Sequence, residues 1–166
     1  GVNPYVFPNV DWYDELFKEF NMNQRANINL QGGGSKVTYY MGLQVNHDAG
    51  LLDVPKISSL STNINNWNYV FQNNISYKPT KSTTIDLHLN AQFGNLQGPG
   101  SSTKSIFNAV YNANPVEFPM YYPAQEGDRH IRFANTILTD SRLNVNPYAK
   151  MLASFKETNF STINAS

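Results

Sequence analysis

The chain has no cysteine, few charged residues and no long apolar run, and each absence excludes a class of protein. Without cysteine there is no disulfide scaffold, no Cys-ligated zinc and no thiol catalysis. Twelve basic residues balance twelve acidic ones, so the chain lacks the positive excess that nucleic acid binding requires. No apolar run approaches the roughly 18 residues that a membrane-spanning helix needs.

Asparagine and aromatic residues are abundant instead. Asparagine supplies 23 of the 166 residues, and tyrosine, phenylalanine and tryptophan together supply 22. This aromatic content argues against intrinsic disorder and indicates a polar, aromatic-rich β protein or a piece of one. Because the chain begins at Gly1 rather than at a methionine and ends inside a predicted strand, we expect a fragment of a longer protein.

Most of the chain alternates between apolar and polar residues with a period of two, which predicts strands with two different faces. Between residues 36 and 46 the alternation has no exception: Val37, Tyr39, Met41, Leu43 and Val45 share one face. The predicted strands are residues 25–31, 36–46, 67–77, 84–93 and about 153–166.

Two segments change to helical spacing. In residues 11–20, Asp11 is a candidate N-cap, and Trp12, Leu16 and Phe20 recur every four residues, which predicts a helix of two to three turns. The second predicted helix covers residues 102–112, with Ser101 or Ser102 as its cap and Asn114-Pro115 after its end.

Strand length and loop asymmetry favour a membrane β-barrel. Eleven residues at roughly 3.3 Å each, tilted by about 40°, span about 28 Å, close to the apolar band of roughly 25 Å in an outer-membrane barrel. Aromatic residues lie near both ends of the apolar face, as they do in interfacial girdles. The connections alternate between short and long, and the long ones are residues 47–66 and 94–147. A soluble β-sandwich or jelly roll has the same alternation and stays an alternative.

Several motifs occur in an order that resembles the SusC/RagA family of TonB-dependent outer-membrane transporters. They are Asp11-Trp12-Tyr13-Asp14-Glu15-Leu16-Phe17, Asn27-Ile28-Asn29-Leu30-Gln31-Gly32-Gly33-Gly34, Tyr39-Tyr40-Met41-Gly42-Leu43, Gly98-Pro99-Gly100-Ser101-Ser102, Asn114-Pro115-Val116-Glu117-Phe118-Pro119, Tyr122-Pro123 and Asn146-Pro147-Tyr148-Ala149. The resemblance extends over the whole chain.

This resemblance implies an all-β fold, an antiparallel segment of a transmembrane barrel of about 22 strands with a plug in its lumen. Residues 1–24 would be a lead-in with a short helix, 25–93 early barrel strands, 94–147 a long extracellular loop and 148–166 the start of the next strand. The implied function is import of oligosaccharides, peptides or other large nutrients across a Gram-negative outer membrane. The implied partners are a SusD-like surface lipoprotein, membrane lipid and, through missing N-terminal parts, the TonB complex. The plug and the TonB box are absent from this sequence.

The sequence contains no arrangement typical of an enzyme, and we predict no catalytic residue, cofactor or metal. The three histidines lie in different elements, and no nucleotide fingerprint or nucleophile motif occurs. The candidate substrate-binding residues lie in loop 94–147: Tyr111, Tyr121 and Tyr122 for stacking on sugar rings, Asn112 for hydroxyl groups and Arg129 for an anionic substrate. Loop packing or docking to the lipoprotein explains the same aromatic residues. A soluble secreted glycan-binding β module is the alternative function.

Overall fold

The computed structural model describes residues 3–54, 62–135 and 146–166, and it is mostly antiparallel β-sheet. Residues 55–61 of the predicted loop 47–66 and residues 136–145 near the end of the predicted loop 94–147 lie outside the described residues. The chain forms two compact units. One comprises residues 1–21, 51–63 and 98–156, and the other comprises residues 22–50, 64–97 and 157–166.

The second unit is a five-stranded antiparallel sheet. Its strands are β1 (Gln24–Gly33), β2 (Val37–Ala49), β3 (Asn65–Tyr77), β4 (Ile85–Pro99) and β7 (Phe155–Ala165). Their order is β1-β2-β3-β4-β7, so β1 and β7 are the edges of the described sheet. All five predicted strands are therefore confirmed, but the structure shows an open sheet and no closed barrel among the described residues.

The strand register gives the sheet one apolar and one polar face. Residues that are paired across antiparallel strands share a face, and a slip by one residue would exchange the two faces. The apolar face contains Ala26, Ile28 and Leu30 of β1, Val37, Tyr39, Met41, Leu43 and Val45 of β2, Tyr69, Phe71, Ile75 and Tyr77 of β3, and Ile85, Leu87, Leu89, Ala91 and Phe93 of β4. The predicted assignment of these residues to one side of each strand agrees with the register.

The strands are longer than the sequence pattern predicts. β4 continues from Phe93 to Pro99, and β2 and β3 extend into the predicted loop 47–66, to Ala49 and back to Asn65. The prediction that the irregular loop begins at Gly94 is therefore wrong. The reason is local, because a Cβ at Gly94 would overlap the ring of Phe160 on the neighbouring β7, so glycine lets the aromatic ring lie over the strand.

The first unit holds the helices and a small core. Its elements are α1 (Trp12–Leu16), α2 (Thr103–Asn112), the two-residue strands β5 (Tyr121–Tyr122) and β6 (Arg132–Phe133), and α3 (Pro147–Leu152). Their buried side chains form one cluster: Trp12, Leu16, Leu52, Ile106, Val110, Phe118, Ala134, Tyr148 and Met151. In the described part of the chain, the helices are too short and too polar to span a bilayer.

The helix caps follow the sequence prediction. Asp11 accepts hydrogen bonds from the backbone N–H groups of Tyr13 and Asp14, and Ser102 accepts one from Ser105. These bonds satisfy donors that have no partner within the helix, which fixes where each helix begins. The predicted helix at 102–112 is confirmed as α2.

Two predictions need correction, one of a helix and one of a strand. α1 ends at Leu16 instead of Phe20, because the backbone of Phe17 is extended and forms an isolated bridge with Leu52. Phe20 consequently lies beyond the helix and is 77% exposed. At the other end of the chain, residues 148–152 belong to α3 and do not begin a strand. Asn146 and Pro147 are an N-cap residue and the first helical residue, where the fixed φ of proline suits a helix.

Candidate functional site

The structure places four of the predicted binding residues in two grooves of the first unit, and Asn112 lines neither groove. Tyr111 is 83% exposed and lines a groove of about 480 Å³ together with Trp12, Tyr13 and Phe107. The second groove, of about 300 Å³, brings together Tyr121, Tyr122, Asp128, Arg129, His130 and Arg132. Asn112 follows Tyr111 at the end of α2, and its side-chain amide donates to the Asn108 carbonyl at 2.7 Å.

The second groove is built on the hairpin of β5 and β6, and we call it the hairpin groove. Tyr122 pairs with Arg132, and Tyr121 pairs with Phe133. The rings of Tyr121 and Phe133 both contact the ring of the buried Tyr148, with centroids 5.7 and 6.4 Å away. One residue pair therefore anchors the hairpin to the core while the other pair is available to a ligand.

Asn146 fixes the hairpin from its other side. Its buried side-chain amide donates to the carbonyls of Met120 and Ala134, each at 2.7 Å. Met120 precedes β5 and Ala134 follows β6, so one amide group joins both ends of the hairpin. Its Oδ1 accepts from the backbone N–H groups of Tyr148 and Ala149 as the cap of α3. A single side chain thus links the hairpin to α3.

A tight turn presents the polar residues of the hairpin groove. The Asp128 carboxylate accepts from the backbone N–H of Gln125 at 2.8 Å, and the Asp128 N–H donates to the Gln125 carbonyl. Between them Gly127 has a φ of 92°, a conformation that side chains with a Cβ rarely adopt. This turn fixes the backbone directly before Arg129.

The hairpin groove has more positive than negative charge. Arg129 and Arg132 are exposed, and among the described residues neither has a carboxylate within 4.0 Å. The Arg132 guanidinium lies 5.9 Å from the centre of the Tyr122 ring, a distance that allows a cation–π contact. Asp128 is the carboxylate of the groove, and its Oδ2 already accepts a hydrogen bond. The groove can therefore bind an anionic group next to an aromatic ring.

The sheet is the second feature with functional meaning, because its apolar face is open. Leu43 is 45% exposed and Leu87 46%, and the other large apolar side chains of this face are at least partly exposed. Ala91 is the buried hydrophobic residue of the described sheet, whereas the rest of the buried core belongs to the first unit. Asn73, paired with Met41 and Leu89, interrupts the apolar face, and its Oδ1 has no hydrogen-bond partner among the described residues.

The apolar face ends in an aromatic and then a polar row. His47 and Trp67 stack with ring centroids 4.1 Å apart, and Tyr69 lies 6.0 Å from Trp67. Beyond them on β4 and β7, the Asn95 side-chain amide donates to the Glu157 carboxylate and to the side-chain Oδ1 of Asn159. The hydrogen bond from Asn95 is the main cause that lowers the pKa of Glu157 below its ordinary value, with Gln97 as a second donor.

The opposite face carries amide and hydroxyl groups. Its members are Asn27, Asn29 and Gln31 of β1, Thr38, Gln44 and Asn46 of β2, Asn68, Gln72 and Asn74 of β3, and Asp86, His88, Asn90 and Gln92 of β4. Several bond across strands, such as Gln92 to Asn68 and His88 to Asn74, both at 3.1 Å. These bonds join the polar side chains of neighbouring strands.

The three histidines do not meet. His47 bonds to Asn65 and His88 to Asn74, while His130 lines the hairpin groove. The described residues contain no group of three or more His, Cys, Asp or Glu side chains that could hold a metal ion.

Sequence reasoning missed two parts of the site. The sequence prediction uses Asn146 and Pro147 only as part of a family motif and predicts no helix there, although Asn followed by Pro is typical of a helix start. The position of His130 in the hairpin groove could not be predicted, because it depends on how the hairpin folds.

No family model, curated protein or solved structure matches the chain. The SusC/RagA resemblance and the outer-membrane location therefore stay predictions.

Proposed function

We propose that the chain is an early barrel segment of a TonB-dependent nutrient importer similar to the SusC/RagA family. In this proposal the apolar face of the sheet contacts acyl chains and the polar face lines a water-filled lumen. The observation that carries the proposal is the open apolar face. A folded soluble protein rarely exposes an apolar patch of this size.

The dimensions of the apolar face support the proposal. His47 lies ten residue positions after Val37 in β2, a length of about 33 Å at roughly 3.3 Å per residue. With a strand tilt of about 40° this length spans about 25 Å, which equals the apolar band of outer-membrane barrels. Tyr77 and Tyr39 lie at one limit of the band, and Trp67 and Tyr69 lie at the other. Interfacial aromatic girdles have these positions.

The connections support the same orientation. Short turns join β1 to β2 and β3 to β4 at one end of the sheet, and the long connections leave from the other strand ends. Barrels of the outer membrane have short periplasmic turns and long extracellular loops. The predicted loops 47–66 and 94–147 would then face the outside of the cell and would admit the substrate with a SusD-like lipoprotein.

A bacterial growth experiment tests the import function. Deletion of the gene should prevent growth on the oligosaccharide that the protein carries and should leave growth on the component monosaccharide unchanged. Deletion of TonB should give the same phenotype. The proposal would be contradicted if the gene deletion changed growth on none of the large saccharides. Uptake that does not depend on TonB would contradict it as well.

Solubility separates this proposal from the alternative of a secreted glycan-binding module. The chain should require detergent or lipid, because the large side chains of the apolar face are exposed or half-buried in the part of the chain that the structure describes. A monodisperse chain that unfolds cooperatively in plain buffer would support the soluble module instead.

A further inference from the structure

We propose that the hairpin groove binds one negatively charged sugar unit, a sulfate ester or a uronic acid, of an incoming saccharide. The inference rests on the proposed import function for its biological meaning. Its physical argument uses only the first unit of the chain.

The charge of the groove selects an anion. Arg129 and Arg132 both line a groove of about 300 Å³, and no carboxylate of the described residues lies within 4.0 Å of either guanidinium. The whole chain has a net charge of zero, so this local positive excess is a property of the site. Guanidinium groups offer paired N–H donors that match the oxygens of a carboxylate or a similar oxyanion.

The Tyr122 ring favours a sugar as the carrier of that anion. Tyr122 lines the groove and is paired with Arg132, on the face of the hairpin opposite the anchoring pair, and tyrosine provides an apolar ring surface together with a hydroxyl group. The volume of about 300 Å³ lies at the lower limit of ordinary ligand pockets and has room for a single sugar ring. A sugar places its C–H groups against an aromatic ring while its charged substituent reaches the arginines.

The groove is held in shape before any ligand arrives. Tyr121 contacts Tyr148 of the core, Asn146 bonds to both ends of the hairpin, and the turn at Gly127 fixes the start of the Arg129 segment. Such preorganisation reduces the ordering cost of binding. The side chains that would contact the sugar are therefore carried by a supported hairpin.

Binding to the detergent-solubilised full chain tests the proposal. The probes are dextran sulfate oligosaccharides and uncharged dextran oligosaccharides of equal length, measured by calorimetry. We expect the sulfated probe to bind at least about tenfold more tightly, and Arg129→Gln or Arg132→Gln to weaken its binding roughly tenfold each. Tyr122→Ala should weaken the binding of both probes, because it removes the ring surface.

Lys104→Gln is the matched control, since it removes an exposed positive charge of the same unit outside the groove. Its affinity for the sulfated probe should remain within twofold of the unchanged chain. Equal affinity for the two probes, or an equal effect of Lys104→Gln and Arg129→Gln, would overturn the proposal. Those outcomes leave the import function intact, because an importer with a neutral substrate would also need TonB.

Discussion

At the scale of single residues, Asn146 has the largest structural role in the first unit. Its carboxamide caps α3 and joins both ends of the hairpin, and it is only 2% exposed. A buried amide that makes all of its hydrogen bonds stabilises the folded state. Its removal leaves buried backbone groups without a hydrogen-bond partner, and this lowers the free energy of unfolding. The sequence could show a cap at this position but could not show which carbonyls the amide would reach.

Asn146→Ala should destabilise the first unit by about 2–4 kcal/mol, because two carbonyls and two backbone N–H groups lose their partner. The exposed Asn112→Ala is the control and should change the stability by less than about 0.5 kcal/mol. Urea unfolding can be followed by the fluorescence of the buried Trp12 in a Trp67→Phe background. Equal midpoints for the two alanine variants would contradict the role of Asn146.

Tyr148 makes the first unit sensitive to high pH. Burial raises the pKa of its hydroxyl above the ordinary value of 10.0, and Tyr121, Glu15 and Asp53 add electrostatic repulsion. Because the folded pKa is raised, the stabilising contribution is complete below pH 10.0 and is lost as the pH rises above that value.

The stability of the first unit should therefore fall more steeply above pH 10.0 in the unchanged chain than in Tyr148→Phe, which cannot ionise at this position. Unfolding midpoints at a series of alkaline pH values, again from Trp12 fluorescence, provide the measurement. Parallel curves for the two proteins would show that Tyr148 does not contribute to the pH dependence.

At the scale of elements, the strands were predictable and the short helices were only partly so. Strict alternation from Lys36 to Asn46 excludes a register that is shifted by one residue, because that shift would mix apolar and polar residues on each face, and the observed register keeps them apart. α1 and α3 are too short for hydrophobic periodicity to define their ends. Tertiary contacts define the ends instead: Phe17, after α1, bridges to Leu52, and Asn146, before α3, bonds to the hairpin. Neither contact is local in sequence.

The two faces of β4 should respond differently to a charge. Leu89 belongs to the apolar face, in the row of Met41 near the middle of the proposed band, and the adjacent His88 belongs to the polar face, where it bonds to Asn74. Leu89→Arg should hinder assembly in the membrane by about 2–4 kcal/mol, because the cost of an arginine is greatest near the middle of the bilayer. His88→Arg should be tolerated, because it faces water. Urea-dependent folding into lipid vesicles measures both, and equal penalties would contradict the assignment of the faces.

At the scale of the whole molecule, composition and alternation predicted an antiparallel β protein, and the structure brings three of the five predicted binding residues together. Tyr121, Tyr122 and Arg129 do share one groove, whereas Tyr111 lines another. Residues separated in a long loop meet only through the fold of that loop, so no spacing rule could group them. The pairing of Tyr122 with Arg132 decides which residues form the groove.

The central claim is that the apolar face of the sheet contacts lipid, and Trp67 tests it most directly. In a Trp12→Phe variant Trp67 is the only tryptophan, and it lies at the limit of the apolar band. The protein is placed in bilayers whose lipids carry bromine either near the headgroup or near the end of the acyl chain. We predict strong quenching of Trp67 by the headgroup-proximal bromine and weaker quenching by the distal one, with Trp12 in a Trp67→Phe variant quenched by neither. Fluorescence of Trp67 that is unchanged in both bilayers would contradict the account.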